Sequence, residues 1–368
     1  MKKLFAACSL GILGALVAPA LAQQALNIQT TTITSDLSSP WAIELISDEQ
    51  MLISERPGVL KRLTVGQGSE VIQGTPNVFY RGQGGLLDIA LDPEFEQNQK
   101  IYLSYSSGDR EENRLEVLSA RLVGNRLEDS RVIFKASPSK DTPVHYAGRM
   151  LFLPDQTLLV TVGDGFDYRE HAQKTDSLLG KIVRVMKDGK IPDDNPFAGE
   201  SEVGVKTEMS IFSLGHRNHQ ALIYDEKRQL IFSNEHGPAG GDEINIIEPG
   251  KNYGWPVITN GKDYSGASIT PFKTYEGMEQ PFVDWTPSIA PSSMAVYYGN
   301  EFPQLNGNLL VTSLKSQELL NLTMVNNRVT KQENILPNLR ERYRDIKVNS
   351  KGEILVLTDS GKLIKLSN

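Results

Sequence analysis

A short strand pattern recurs six times along the chain and constrains its fold more than any other feature. Each copy holds an alternating apolar run, a turn rich in Asp, Asn, Gly or Pro, and a second run of Leu and β-branched residues that ends on a small polar residue. The first three copies are Ala42 to Leu45 then Met51-Leu52-Ile53-Ser54, Leu87 to Leu91 then Ile101-Tyr102-Leu103-Ser104, and Met150 to Leu153 then Leu158-Leu159-Val160-Thr161. The others are Leu222 to Tyr224 then Leu230-Ile231-Phe232-Ser233, Met294 to Tyr298 then Leu309-Leu310-Val311-Thr312, and Ile346 to Val348 then Ile354 to Thr358. They are spaced by roughly 45 to 75 residues, and several add a third strand after a Gly turn, as in Gly58 to Leu63, Gly180 to Val185 and Gly361 to Leu366. With no amphipathic helix between them, the expected fold is all-β, a six-bladed β-propeller of four-stranded antiparallel blades. A pair of β-sandwiches is the structural rival. The last copy has only three strands, so the strand-like stretch Leu26 to Ile33 is expected to pair with it and close the ring, leaving no exposed edge. The irregular stretches Ser106–Asn113, Phe166–Asp176, Lys187–Lys206 and Asn260–Gln280 are expected to build one face.

Residues 1–22 stand apart from this pattern. Lys2 and Lys3, the apolar run Leu4 to Val17 and the small residues of Ala20-Leu21-Ala22 form a secretory signal peptide pattern, so the propeller domain spans 23–368 and the mature chain is expected in the periplasm without stable membrane insertion. A retained anchor and a lipoprotein signal on Cys8 are the rivals. The small-residue site argues against the first, and the short run ahead of Cys8 against the second. The one Cys leaves with the signal, so no disulfide, CxxC metal knuckle or haem attachment is available, and any redox chemistry needs a borrowed cofactor. A net charge of −7 gives no general field for nucleic acid.

Chemistry-bearing residues gather at the blade junctions. Of the five His, His145 opens the third copy in Pro143 to Arg149, and Asp164 follows that copy's second strand in Val162-Gly163-Asp164-Gly165. In a hairpin these ends adjoin, so the carboxylate can orient the imidazole as a general base requires; a structural His bonded to a turn carboxylate fits the spacing equally. Arg217 in Leu214 to Gln220 can neutralise carboxylates or stabilise a developing oxyanion, and His216 and His219 offer zinc ligands without an HExxH or Cys partner, ordinary turn hydrogen bonding being the alternative. Carbonyls of the turn-rich Asn234 to Asn245, with Asp242, Glu243 and Asp263, suit Ca²⁺ and suit a solvated acidic turn as well. Lys315, Arg342 and Arg344 lie at later junctions, where converging cations would imply an anionic ligand.

Together these motifs resemble the soluble glucose/sorbosone dehydrogenase family, the pyrroloquinoline-quinone (PQQ)-dependent aldose sugar dehydrogenases on a six-bladed propeller. The resemblance runs from about Pro40 to the C-terminus in the family's order. It is carried by Gly82 to Leu87, His145 to Arg149, Gly163-Asp164, Gly189 to Phe197, Gly215 to Asn218, Glu235 to Asn245, Asn252 to Pro256, Pro287 to Ser293, Ser313-Leu314-Lys315 and Arg342 to Asp345. It implies that His145 takes the proton of a sugar's anomeric hydroxyl while the C1 hydride passes to PQQ, with Asp164 and Arg217 completing the catalytic set. It implies that Gln83, Arg217, Asn218, Lys315, Arg342 and Arg344 hold the quinone, joined by His236 where the glucose enzymes carry Gln. Gly237 and Pro238 carbonyls match a cofactor-bridging Ca²⁺ site; Glu243, Tyr253, Asp263 and the Thr259 carbonyl match a second, structural Ca²⁺ site.

The departures are informative. Val144 replaces an acid before the base, Val283 and Thr286 fall where aromatic residues flank the sugar, with Trp285 adjacent, and the covering loop before Trp285 is short. A broad aldose preference, mono- and disaccharides oxidised to lactones, is expected over strict glucose specificity. Without a haem motif, electrons must pass to an external acceptor, and the chain is read as a monomer or homodimer. A Ca²⁺-dependent propeller lactonase and a non-catalytic glycan- or protein-binding propeller are the rival functions. The lactonase gives no reason for Lys315, Arg342 and Arg344 to converge with Arg217, and the binding propeller has no use for a His145–Asp164 pair.

Overall fold

In a computed structural model that describes residues 26–199 and 207–368, the strands form six separate four-stranded antiparallel sheets. The first blade is Pro40–Leu45, Gln50–Glu55, Val59–Thr64 and Gly68–Ile72, and the second is Leu86–Leu91, Lys100–Gly108, Asn113–Val123 and Arg126–Lys135. The third is Ala147–Phe152, Leu158–Val162, Lys181–Val185 and Ile211–Leu214; the fourth is His219–Asp225, Leu230–Glu235, Asp242–Ile247 and Val283–Trp285. The fifth is Pro291–Val296, Leu309–Ser313, Leu319–Val325 and Arg328–Asn334. The sixth takes Tyr343–Val348, Ile354–Thr358 and Leu363–Ser367 from the end of the chain and Gln29–Thr34 from its beginning. Gln29 pairs Ser367 and Thr32 pairs Ile364, which is the expected ring closure. The signal peptide expected over residues 1–22 lies outside the described residues. Among the described residues no helix is long and apolar enough to cross a membrane.

Apolar residues of neighbouring blades interdigitate to form the core. Leu52 and Leu60 meet Leu86, Ile101 and Leu103 between the first and second blades, and Leu310 and Leu319 meet Tyr343, Ile346 and Val356 between the fifth and sixth. The small polar residues that end the second strands have a specific use. In every blade the innermost strand slips register near its first residues, at Pro40/Ala42, Leu86/Ile89, Ala147/Met150, His219/Ala221, Pro291/Ser293 and Tyr343/Asp345. Such a bulge frees backbone groups from the ladder, and the hydroxyls collect them. Ser54 Oγ accepts from Ala42 N at 3.0 Å and donates to Leu87 O of the next blade; Ser104 Oγ accepts from Asp88 N at 2.9 Å and donates to Gly148 O of the next at 2.6 Å. Thr161 Oγ1 accepts from Arg149 N at 2.9 Å.

One side chain spans the axis. The Arg149 guanidinium, from the third blade, donates to Gln220 O at 2.6 Å in the fourth and Ser292 O at 3.1 Å in the fifth. It pairs with Asp88 of the second and Asp345 of the sixth, both at 3.2 Å, and lies 4.1 Å from the Trp41 ring of the first. Burial pushes Asp88 up to about 6 against the pull of Arg149. Trp41 and Arg149 divide the channel into an upper cavity of about 350 Å³ and a lower one of about 600 Å³ lined by Ile89, Met150, Leu222, Met294 and Ile346.

Two expectations about loops need correction. Ser106–Asn113 is mostly an ordered hairpin, with Ser106 opposite Leu115 and Gly108 opposite Asn113, because Lys140 pairs with the backbone of Asn113 and extends the sheet. Lys187 bonds Asp92 and Glu94, beyond the far end of the second blade's inner strand, so this stretch leaves the third blade at the end opposite the one that bears His145. Asn260–Gln280 does reach the His145 end. Asn252 bridges to Leu214 in parallel and Trp255 reaches Asp164, so the chain climbs back up the third blade before this loop begins.

Replacing Arg149 by Leu leaves two buried carboxylates without their cation, and urea unfolding is expected to show a loss of about 3–5 kcal/mol. Adding Asp88→Asn and Asp345→Asn should restore part of it. A loss under about 1 kcal/mol would show that blade packing alone holds the axis.

Candidate active site

His145 projects from the segment that leads into the third blade, and its backbone is left-handed (φ 52°), as is that of Ala147 (φ 56°). Neither residue is glycine, so the segment is strained and the contacts around it must hold it. Gly163 makes room for it: a Cβ there would meet His145 O at 2.1 Å. Gln83 Oε1 accepts from His145 N at 2.8 Å, which ties the second blade's Gly-rich turn to the backbone of His145.

The expected pair forms. His145 Nδ1 lies 2.7 Å from Asp164 Oδ1, and the two side chains are 6% and 1% exposed. Asp164 Oδ1 also accepts from Phe166 N at 2.8 Å, and its Oδ2 accepts from the Trp255 indole at 2.7 Å. A carboxylate so placed only accepts, so Nδ1 carries the proton and Nε2 keeps the lone pair. Burial lowers the His145 pKa; the Asp164 hydrogen bond and charge oppose this, while Arg217 and Lys140 add to it. The imidazole is therefore neutral at pH 7, with a basic Nε2.

The upper cavity beside it is lined by Trp41, Arg56, Gln83, Tyr146, Asn218, His236, Leu314, Arg342, Arg344 and Asp359, among others. Arg344 Nε pairs with Asp359 Oδ1 at 2.8 Å and Arg342 Nε with Asp359 Oδ2 at 3.0 Å. Arg56 reaches Gly82 O and Gly84 O, at 2.5 and 2.9 Å. Arg217 Nη1 donates to His236 O at 3.0 Å and Gly237 O at 2.7 Å, while its Nε is buried without a partner. Both amide atoms of Asn218 are likewise buried and unpartnered. His236 Nε2 donates to Pro291 O at 2.8 Å, and burial followed by the Arg217 charge lowers its pKa to about 3. Lys315 is exposed and does not line this cavity. An anion with flat polar edges fits here: orphaned donors and acceptors and three further guanidiniums face one space.

Gly237 sits so close to Gly240 and Gly241 that a Cβ would meet Gly241 O at 2.2 Å, and its carbonyl already faces one cation, Arg217. Pro238 O accepts from Ser288 Oγ at 3.2 Å. Glu243, Tyr253 and Thr259 share a small cavity with Glu235 and Gly241. Burial, then the carboxylates of Glu235, Asp284 and Asp242, drive the Glu243 pKa well above its usual value. Asp263 does not join this set. Its carboxylate accepts from Ser265 N at 2.9 Å and lines a different cleft, because the tight turn Asp263–Gly266 captures it locally.

His216 and His219 are engaged in hydrogen bonding. His216 reaches Ser213 Oγ at 2.8 Å and Glu235 at 3.1 Å, and His219 Nδ1 lies 2.7 Å from Ser233 Oγ. Glu235 also accepts from Arg217 N at 2.6 Å, so the cluster pins the backbone that presents Arg217. Trp285 packs between the fourth and fifth blades with its indole on Gln332, away from the mouth. The aromatic rings at the mouth are instead Phe166, 5.1 Å from the His145 ring, and Tyr264, stacked on Phe166 at 6.3 Å. With Asp167, Arg169, Trp255 and Asp263 they line a cleft of about 290 Å³. Sequence reasoning missed Arg56, Asp359, Phe166 and Tyr264. For Arg56 and Asp359 a signal existed: each directly follows a second strand, as Asp164 nearly does.

The site is thus a buried His–Asp pair beside a cavity lined by three guanidiniums at one end of a six-bladed propeller. The model of the Glucose / Sorbosone dehydrogenase family matches residues 37–365, and the chain belongs to that family and is an oxidoreductase. Aldose sugar dehydrogenase YliI of Escherichia coli (strain K12) is 38% identical over 350 residues, covering 93% of each protein. The crystal structure of the soluble aldose sugar dehydrogenase from Escherichia coli in the apo form superposes with a TM-score of 0.88, covering 93% of this chain and 99% of that one. The PQQ-bound form of aldose sugar dehydrogenase from Streptomyces coelicolor, 26% identical, superposes with a TM-score of 0.75 over 93% of this chain and 98% of that one.

Asp164→Asn removes the charge that favours protonated His145, so the His145 titration midpoint, read by NMR of histidine-labelled protein, should fall by about one unit or more. An unchanged midpoint would mean that the carboxylate does not act on the imidazole.

Proposed function

We propose that this chain is an exported, periplasmic aldose sugar dehydrogenase that uses PQQ and Ca²⁺, oxidises the C1 hydroxyl of mono- and disaccharides to lactones, and passes the electrons to an external acceptor. The observation that carries this reading is the His145–Asp164 pair, with its free Nε2, at the edge of a cavity lined by Arg56, Arg342 and Arg344. When bound, PQQ accepts the C1 hydride and Ca²⁺ polarises the quinone as a Lewis acid. Arg342, Arg344 and Arg56 would hold the carboxylates of the cofactor, Asn218 and Arg217 would face its polar edge, and the Gly237 and Pro238 carbonyls would hold its Ca²⁺. Glu243, Tyr253 and the Thr259 carbonyl would hold a structural Ca²⁺.

His145 Nε2 takes the proton of the anomeric hydroxyl. Asp164 keeps the other ring nitrogen protonated and stabilises the imidazolium as it forms. Phe166 and Tyr264 offer the sugar an apolar platform, and Asp167 and Arg169 offer its hydroxyls polar partners. Trp255 and the two rings limit water around the base.

The test is reconstitution. The purified protein with PQQ and Ca²⁺ should reduce a dye with glucose, other aldoses and disaccharides; no reduction with any sugar, alongside lactone hydrolysis with Ca²⁺ alone, overturns the reading. His145→Ala should lower turnover by about 10²–10⁴-fold yet still bind PQQ, followed by fluorescence quenching. Loss of quinone binding in that variant would make His145 a cofactor ligand. Because the folded pKa of His145 is depressed below 6.5, activity should be retained at neutral pH and fall only as pH drops below that value. Ca²⁺ should raise the melting temperature, a gain of about 2.7 kcal/mol at a hundredfold excess over Kd, and Glu243→Gln should remove its structural-site share.

A further inference from the structure

Behind the base stands a cation that the proposed reaction does not use. Lys140 is 3% exposed, and its stem packs on Gly165, where a Cβ would come within 2.8 Å of it. Its Nζ donates to Asn113 Oδ1 at 3.0 Å and to Thr142 O, and lies 3.6 Å from the centre of the Tyr146 ring. Tyr146 donates to the same Asn113 oxygen at 2.6 Å, and Lys140 and Asn113 exchange both backbone hydrogen bonds. Thr142 Oγ1 in turn donates to Gly165 O at 2.6 Å, one residue after Asp164. Every hydrogen-bond acceptor of this ammonium is neutral. A buried charge satisfied only by dipoles is costly, so stability alone gives no reason for a lysine rather than an apolar peg.

Its position does give one. The clamped stretch runs straight into His145 and Ala147, the two left-handed residues, and Lys140, packed on Gly165 next to Asp164, is not among the residues that line the cavity. We propose that Lys140 is a positioning residue for His145: it clamps the strained segment that carries the imidazole and fixes a positive charge behind the His145–Asp164 pair, which favours the neutral, proton-accepting ring. The inference rests on His145 being the base of the proposed reaction. The charged and titratable groups facing the pair are Lys140 and Asp141 from the third blade's entry loop, and Arg217 and His236 from the fourth blade. His236 stays neutral, and Asp141 partly offsets Lys140. Burial brings Lys140 down to about 7 and lowers His145 as well, so Lys140 loses its proton after His145 as the pH rises.

The test is an NMR titration of the histidine-labelled mature protein, with turnover measured in parallel. Lys140→Met should raise the His145 midpoint by roughly half a unit to one unit, move the acid limb of the turnover profile up with it, and lower turnover about tenfold through the loosened segment. Lys140→Arg should keep the wild-type midpoint, and PQQ binding should be unchanged in both. A Met variant that loses turnover with the midpoint unmoved would reduce Lys140 to a structural peg and overturn the proposal. Should that variant not fold, the wild-type His145 resonance must still show a second deflection near pH 7 as Lys140 loses its proton; a single smooth titration overturns the proposal. Absence of dye reduction by the wild-type protein would sink the sugar-oxidation reading, while the NMR arms would still decide whether Lys140 acts on His145.

Discussion

The propeller is held about its axis by one guanidinium. Arg149 begins in the third blade and touches the other five: Trp41, Asp88, Gln220, Ser292 and Asp345. Two buried carboxylates and one buried cation are an expensive way to fill a channel, and well-packed apolar side chains would often be as stable. What the charged arrangement supplies is register. Each carboxylate spends its second oxygen on a backbone N–H, Asp88 on Met150 and Asp345 on Ile43, so a blade that slid along the axis would break an ion pair and a main-chain bond together. The site needs this, because its residues come from all six blades.

The same layer sets where chemistry can occur. Trp41 floors the upper cavity while Arg149 roofs the lower one, so a ligand entering from the His145 end stops at the indole. Above that floor the inner strands begin with their bulges. The hydroxyls of Ser54, Ser104 and Thr161 satisfy the groups that the bulges release. The small polar residues at the strand ends are thus part of what opens the strands at the site.

Much of this was legible in the sequence for a physical reason: blades repeat, and period-two apolar runs survive in each copy. The missing fourth strand of the last copy and the spare strand-like stretch at residues 26–33 pointed to the closure. His145 and Asp164 could be paired because they flank one hairpin. Contacts between blades were harder to read. Asp359 sits between Arg342 and Arg344, and Arg56 joins them from the other end of the sequence, on single side chains with no period of their own. Asp263 looked like a metal ligand by composition, yet a four-residue turn captures its carboxylate. Trp285 looked like a sugar contact by adjacency, but strand alternation turns it into the core.

Net charge hid the electrostatics of the site. The whole chain is acidic at −7, yet Arg56, Arg342 and Arg344 line one cavity with Asp359 as their only carboxylate among the lining residues, and Arg217 stands at its border. Like charges in a low-dielectric space repel strongly, so the fold must hold them against one another. It does so with oriented carbonyls: Gly82 and Gly84 for Arg56, Leu314 for Arg342, His236 and Gly237 for Arg217. Several of these are glycine carbonyls or flank glycines, where backbone can approach a guanidinium closely. The repulsion left over is work that an entering polyanion recovers. Asp359 neutralises part of this charge by pairing with both Arg342 and Arg344, and the excess, carried by arginines drawn from three blades, is what suits the cavity to an anion.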